Sequence, residues 1–514
     1  MVPERIGPVA LRAAVVAAAC LVAVTAPVPA AAIDLQSGDT RARLTGSLAA
    51  WHVFRLDPDT PSERPSSTLD LRLEGDHGRH LHFFLDTRLG YDGKIGDPER
   101  GNPVLDLDEI HQDKDLFVSF EEAYIDLISR DVELRIGKQK ISWGRLDEIQ
   151  PTDNLNPEDL TEFYFRPELE RKIGIPALKL SAFHEPWSAE AVWAPFFTAY
   201  RFPNREDRWF PPLLTVPDRV QTPFGALPLR ARYPDVDEPP HTLASSDAAL
   251  RVRRTIGDAE ASVSIFHGWD KSPTFGARGS ATLVPTGMPA TPVASSIDLD
   301  VFPTLHRITV VGGDLAMPLW VLALRAEAAW IHGRAFPILI RDQLGGDPRL
   351  VGVVGEAAAR VAATGRAETI ALPLAAIERE RDSFQYGVGF DHTVSETTSR
   401  RLTGHDWLAH GFVLVQLIES VIFDHDAPFI PDRIEHLLGL TLRQTFWDDR
   451  LLAEVKVAYN PNHGDYYVWP QLAYKLTPTL HALFEARVIG GSATHQIGEY
   501  RDYDGIRIGL KRFF

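Results

Sequence analysis

A membrane-spanning, closed antiparallel β-barrel of about eighteen strands (16–18) is predicted by three features of this sequence. Apolar and polar residues alternate along segment after segment. Short and long connections alternate between those segments. The chain ends in an aromatic strand, and after residue 32 no apolar run reaches the roughly 20 residues of a spanning helix.

The first element is not part of the barrel. Arg5 and Arg12 form a basic start, Ala13 to Ala26 carries no charge, and Ala30-Ala31-Ala32 is a small-residue cleavage site. Residues 1–32 therefore read as a secretory signal, and 33–514 as the exported barrel with inserted loops. Cys20 is the single cysteine. Its context, Ala17-Ala18-Ala19, is a poor lipidation site, and its removal leaves no thiol for disulfides, metal or nucleophilic chemistry. The whole chain carries −17. Removing Glu4, Arg5 and Arg12 takes away +1, so the exported chain is near −18 and offers nothing to a polyanion such as nucleic acid.

The strands come next. "STLDLRLEGD" sets Leu69, Leu71 and Leu73 against Asp70, Arg72 and Glu74. "RHLHFFLDTRLGY" sets Leu81, Phe83, Leu85 and Leu89 against His80, His82, Asp86 and Arg88. "EAYIDL" opposes Ile125 and Leu127 to Glu122 and Asp126, and "DVELRIG" opposes Leu134 and Ile136 to Glu133 and Arg135. Late in the chain Val455 and Val457 oppose Glu454 and Lys456; Phe484 and Val488 oppose Glu485 and Arg487. Period two means strands with one apolar and one polar face. Opposite charges sit two apart on the polar face, at Arg72/Glu74, Asp86/Arg88, Glu133/Arg135, Arg325/Glu327, Glu454/Lys456 and Glu485/Arg487. A soluble sandwich would also tolerate such a face.

The connections decide for the barrel. Strand centres fall near 49, 71, 84, 122, 136, 179, 192, 250, 263, 309, 325, 388, 414, 440, 455, 470, 484 and 508. Tight turns at 76–77, 129–130, 185–186, 256–257, 317–318 and 477–478 alternate with long connections such as 92–115, 144–173, 197–243, 270–302 and 334–381. Outer-membrane barrels have this asymmetry, with short periplasmic turns and long extracellular loops. Residues 395–423 fit least well, because the connection is long and "WLAHGFVLVQLIESVIF" alternates poorly. The last strand, "DGIRIGLKRFF", places Ile506, Ile508, Leu510 and Phe514 on one face. That pattern resembles a barrel-assembly signal, with the assembly machinery as its partner. Arg512 on the same face departs from it.

In lipid a spanning sheet must close, turning its apolar face outward and its charges into a wet lumen. Trp51, Tyr91, Trp269, Trp330, Tyr459 and Trp469 are candidates for interface girdles.

One long connection stands out. "SWGRLDEIQPTDNLNPEDLTEF", residues 142–163, holds Arg145, Asp147, Glu148, Asp153, Glu158 and Asp159, with Arg166 just beyond. Asn156-Pro157-Glu158-Asp159 predicts a helix over about 157–164. Trp143 and Phe163 supply apolar anchors. Such an ordered, charged loop is expected either to fold inward as a constriction, with Arg145 and Arg166 facing the acids, or to pack on the rim with its ions paired. "RIGKQKISWGRLDEIQPTDNLNPEDL" resembles the signature of a large family of Gram-negative outer-membrane barrels of unassigned function, distantly akin to alginate-export-type porins. Arg135, Gly137, Gln139, Trp143, Gly144, Asn156, Pro157, Leu160 and Arg166-Pro167 carry that resemblance. It implies a channel-like barrel and supplies no substrate and no catalytic residue.

Other constellations are weaker. "DLDEIHQDKD", 106–115, lacks EF-hand spacing and reads as a solvated acidic loop that divalent ions could bridge to lipopolysaccharide. His80 and His82 lack an evident third metal ligand. "HDWLAHG", 405–411, matches no hydrolase motif. Residues 349–380 predict a loop helix able to plug the mouth or meet a partner. No cofactor or metal and no catalytic group is expected. The sequence reads as a porin-like channel in the outer membrane passing an unidentified small solute. A plugged barrel or a scaffold or export partner in an envelope assembly is the alternative, and a membrane-embedded enzyme the third reading.

Overall fold

A computed structural model describes residues 32–56, 66–92, 116–203, 208–216, 218–222, 225–234, 238–240, 242–271, 274–288, 291–338, 348–372, 378–426 and 429–514. The signal segment through residue 31 and the acid-rich stretch 106–115 lie outside these residues. The strands are β1 (Ile33–Ser37), β2 (Thr40–Arg55), β3 (Ser66–His77), β4 (Leu81–Asp92), β5 (Leu116–Ile128), β6 (Val132–Gln139), β7 (Ile175–His184), β8 (Trp187–Ala194), β9 (Arg219–Thr222), β10 (Gly225–Arg232), β11 (Asp247–Ile256) and β12 (Ala259–Trp269). They continue with β13 (Thr274–Met288), β14 (Thr291–Thr304), β15 (Arg307–Leu319), β16 (Leu322–Pro337), β17 (Glu368–Leu372), β18 (Glu378–Thr393), β19 (Phe412–Ile422), β20 (Ile434–Phe446), β21 (Leu451–Asn460), β22 (Asp465–Lys475), β23 (Leu480–Gly490) and β24 (Gly505–Phe513).

Eighteen of these form one closed antiparallel ring. Each is bonded to the next in chain order from β2 through β24, with β9, β10, β13, β14 and β17 set aside, and β24 returns to β2. All eighteen predicted centres fall inside these strands. At the closure Phe514 exchanges backbone hydrogen bonds with Gly46, both 3.0 Å. A Cβ at Gly46 would meet the Phe514 ring at 2.6 Å, so the terminal aromatic sits in a notch that glycine leaves open. β1 occupies the same edge of β2 as β24, further along, pairing Ile33 with Leu44.

The outer face of the ring is apolar. Ile125, Leu180, Leu250, Val263, Val311, Val415, Leu438 and Ile508 stay exposed on strands right round the wall. A soluble protein does not leave such a continuous belt to water. A closed sheet satisfies its backbone internally, so this belt faces hydrocarbon, and the chain is an outer-membrane β-barrel.

Turns at 78–80, 129–131, 185–186, 257–258, 320–321, 447–450 and 476–479 mark one end, shared with the C-terminus. The long connections mark the other. Two exceptions occur. The turn 461–464 is tight although it lies at the long-loop end. The connection 394–411 is long although it lies at the short end, and it is ordered by a helix, Glu396–Thr403. Ser395 caps that helix by accepting from the Thr398 N–H, and Gly404 ends it at φ +77°.

Three long connections are not loops throughout. β17, β13, β14, β10 and β9 form a second, five-stranded sheet in that order, with β10 and β14 parallel. The helix Pro348–Thr364 covers one face of it, burying Val354, Ala357 and Val361 against Ala281, Leu283, Ile297 and Leu299. The helix expected within 349–380 is therefore present, and its apolar face is spent on this sheet rather than on the barrel mouth.

Candidate functional site

Residues 140–174 leave the wall after β6 and return at β7. Their stem is drawn together by one side chain. Asn156 accepts from the Ile141 N–H (2.8 Å) and donates to the carbonyls of Gln139 (3.2 Å) and Ile173 (2.7 Å). That use replaces helix capping. The helix expected over 157–164 does not form; Glu158 and Asp159 make bridges to Lys172 and Arg201, and a four-residue helix, Glu168–Arg171, follows instead.

From this stem the segment crosses the barrel. On one side Trp143 and Leu155 are buried against Val192, Ala249, Phe266, Ile308 and Ala329 of β8, β11, β12, β15 and β16. The inward face of these strands is apolar where it meets Trp143 and Leu155. On another side Phe163 and Phe165 are buried with Trp209, Tyr467, Trp469 and Tyr500. Burying a side chain of this size contributes roughly 1.5–3 kcal/mol, so both ends of the crossing are firmly seated.

Polar contacts fix the middle. Glu327 on β16 accepts from the Arg145 N–H, from the Leu146 N–H (2.6 Å) and from the Thr152 hydroxyl (3.0 Å). Gly144 makes this approach possible. Its φ is +98°, and a Cβ there would stand 2.7 Å from the Glu327 carboxylate. Arg145 pairs with Glu260 and with Asp314 (3.2 Å), both on the wall, rather than with acids of its own loop. Asp147 exchanges hydrogen bonds with Gln416 of β19, at 3.1 and 2.7 Å. Glu148 lies between Arg171 (2.8 Å) and Lys456 of β21 (2.5 Å). Burial pushes its carboxyl up, but these two cations outweigh that and hold it below the usual range. Glu162 meets Arg487 of β23 (2.9 Å) and Arg507 of β24 (3.7 Å).

The remaining loop charges pair locally. Asp153 meets Lys172 (2.5 Å), and Asp159 meets Arg166 (2.7 Å) and Arg201 (3.3 Å). Burial raises the Asp159 carboxyl, yet the two guanidiniums win and keep it ionised well below its ordinary value. Glu158 is 3.7 Å from the fully buried Arg171.

The charges read along single strands mostly find partners across strands. Arg72 bonds Asp86 (3.0 Å), Arg88 bonds Asp70 (2.7 Å), and Arg135 grips Asp126 with two bonds (2.7 and 2.9 Å). Glu133 stands 3.8 Å from Arg135, and Arg325 forms an ion pair with Asp391 (2.5 Å). Glu454 pairs with Arg443, and Glu485 takes the Trp469 N–H (2.9 Å) and Arg507 (3.0 Å). Opposed residues on neighbouring strands are about 4.5–5.5 Å apart, closer than i and i+2 on one strand, so this choice is expected physically. Glu122 accepts from the Lys140 N–H (2.9 Å), and Glu74 is exposed. His82 pairs with Asp76 (2.9 Å), whereas His80 falls in the turn 78–80 and contacts the Ile128 carbonyl. Of the girdle candidates, Trp330 and Tyr459 face outward, but Trp469 is buried against Phe165 and Trp51 lies under Arg507 on the inner side.

Sequence reasoning missed Glu162, Lys172, Glu260, Asp314 and Gln416. Glu162 lay within the quoted stretch; the wall residues carried no signal, because their partners are more than 100 positions away.

No family model matches the chain, and neither does any curated protein. Solved outer-membrane structures do. OccAB1 of Acinetobacter baumannii shares 9% identity over 93% of this chain and 96% of that one, with a TM-score of 0.45. OccD3 (OpdP) of Pseudomonas aeruginosa shares 9% over 96% and 95%, also at 0.45. OpdK of the same organism, solved with vanillate, shares 9% over 92% and 98%, at 0.44.

Proposed function

We propose that the chain is a porin-like channel that passes small solutes across the outer membrane, and that residues 140–174 narrow it. One observation carries this reading: the segment is held across the 18-stranded ring by hydrogen bonds to Glu327 and by ion pairs to Asp314, Lys456 and Arg487 of the wall. A ring of this size is too wide for side chains to fill, and ion pairs sealed in a dry interior would cost several kcal/mol per charge. A partly hydrated lumen fits both facts. Arg72 keeps about half of its side chain exposed on the inner face of β3, which supports water access from that side.

A second reading, a barrel plugged at rest, is favoured by the reach of the loop. Its contacts run from β8 to β24 and include Glu121 of β5 through Lys140 (2.8 Å). Planar-bilayer recording of the refolded chain across a salt gradient separates the two. Steady conductance steps support the open channel, and the reversal potential gives its ion preference. Silence from a folded barrel supports the plug. In either case deletion of 145–165 is expected to raise the current; an unchanged current would refute the constriction.

A further inference from the structure

At the loop end of the barrel, away from the crossing segment, three connections meet beside β20. They are 429–433, the tight turn 461–464, and 491–504. Asp432 from the first, Glu435 at the start of β20, and His463 from the turn bring a carboxylate oxygen each and an imidazole nitrogen within 4.8 Å of one another.

The geometry is not that of hydrogen bonds. His463 Nε2 lies 3.4 Å from Asp432 Oδ2 and 3.5 Å from Glu435 Oε1. That nitrogen is closed off from solvent and makes no hydrogen bond. Imidazole–carboxylate hydrogen bonds close to about 2.7–2.9 Å when nothing lies between the groups. These two separations are close to the edge of a tetrahedron. With bonds of about 2.0–2.1 Å to a central ion, neighbouring ligand atoms stand about 3.3–3.4 Å apart.

The carboxylates are also oriented. Asn460 donates to Glu435 Oε2 (2.8 Å), and the Asp432 N–H donates to Glu435 Oε1 (2.6 Å). Asn462 donates to Asp432 Oδ2 (3.1 Å) while its own carbonyl accepts from the His436 N–H (3.1 Å). The His463 ring is stacked on that of His495, with centroids 3.3 Å apart, which fixes its plane. Outer groups that hold ligands in place in this way are typical of metal centres.

We propose that Asp432, Glu435 and His463 bind a first-row divalent cation of the zinc class, with water as the fourth ligand. One imidazole with two carboxylates suits such an ion better than calcium or magnesium, which take oxygen alone. The bound ion would fasten 429–433 to 461–464 and, through the His463–His495 stack, brace 491–504. The site therefore stiffens the rim; it is independent of the constriction.

The test uses the refolded full-length exported barrel, stripped with a chelator and titrated with Co²⁺ as a spectroscopic probe and Zn²⁺ by calorimetry. One equivalent of each is expected, with a tetrahedral Co²⁺ absorption band that Zn²⁺ abolishes. His463→Gln and, separately, the exposed Asp432→Asn should each weaken binding at least about tenfold, and Asn460→Ala by about ten- to a hundredfold. Heat-modifiable migration on gels verifies that each variant is folded. No saturable binding to the parent barrel, or equal binding by the folded His463→Gln and Asp432→Asn variants, overturns the proposal.

Discussion

Glu327→Ala tests how the crossing segment is held. The carboxylate carries three good hydrogen bonds, from the Arg145 and Leu146 amides and the Thr152 hydroxyl, and a fourth, longer one from the Thr152 N–H (3.4 Å). Bonds to a charged acceptor contribute about 1.5–3 kcal/mol each, but they are not additive here because the donors are neighbours. Removing the carboxylate leaves two amides and a hydroxyl without their acceptor, at about 1–3 kcal/mol each, or about 3–5 kcal/mol together once their coupling is allowed for. At about 1.4 kcal/mol per tenfold, the opening equilibrium of the segment should rise by roughly a hundred to several thousandfold. Hydrogen exchange resolved on peptides from 140–160 measures this directly, with protection at Arg145, Leu146 and Thr152 falling by that factor. Single-channel traces of the same variant should show larger or flickering steps. Exchange within about threefold of the parent barrel would refute the view that Glu327 clamps the segment, since even one lost bond of about 1.5 kcal/mol exceeds that.

Three further outcomes are expected. Asn156→Ala removes three buried hydrogen bonds from the stem and should expose 140–174 to limited proteolysis while leaving the heat-modifiable barrel intact; equal resistance would count against the stem argument. Glu499 in 491–504 is pushed up to about 8 by burial, with Asp465 adding to the rise and the Leu213 N–H opposing it. A carboxyl raised on folding favours the seated state fully below its free value of 4.5, and that contribution is lost as pH climbs through about 8. Protease cleavage within 491–504 should therefore increase between pH 5 and 9 in the parent barrel and be flat in Glu499→Gln. Deleting Phe514 empties the notch over Gly46 and should reduce outer-membrane insertion, read as loss of the heat-modifiable form; normal yield would argue that the notch is dispensable.

The wall was legible in the sequence because lipid imposes a rule that every strand must obey. Leu69, Leu71 and Leu73 had to share a face, and their parity alone located β3. The small sheet was not read, although Ile297, Leu299 and Val301 alternate with Asp298 and Asp300 as clearly as any wall strand. Its strands interrupt the turn-and-loop rhythm, so the rule that found the barrel assigned them to loops. At the crossing segment, order and inward apolar anchors were readable from Trp143 and Phe163. Which ions pair was not. Arg145 has acids two and three positions away, yet its partners are Asp314 and Glu260, chosen by where the fold delivers them. The misplaced helix has a similar cause: Asn156 is a good cap in isolation, but the stem offers its side chain three partners at once.

The pairs of Glu148 with Lys456 and of Glu162 with Arg487 link positions 308 and 325 apart in the chain. That separation has a consequence for biogenesis. Until β21 and β23 are laid down, Glu148 lacks Lys456 and Glu162 lacks Arg487, so docking of the crossing hairpin has to wait for the last strands to be completed. Its final partner, Arg507, belongs to the strand that seals the seam with β2. A seam slipped by two residues would carry Arg507 about 7 Å along the wall, and a slip of one would turn it into lipid. Glu162 would then have lost one of its two counter-ions. The interior thus acts as a ruler for its own closure, and only a ring sealed in the correct register gives the waiting hairpin its full complement of contacts.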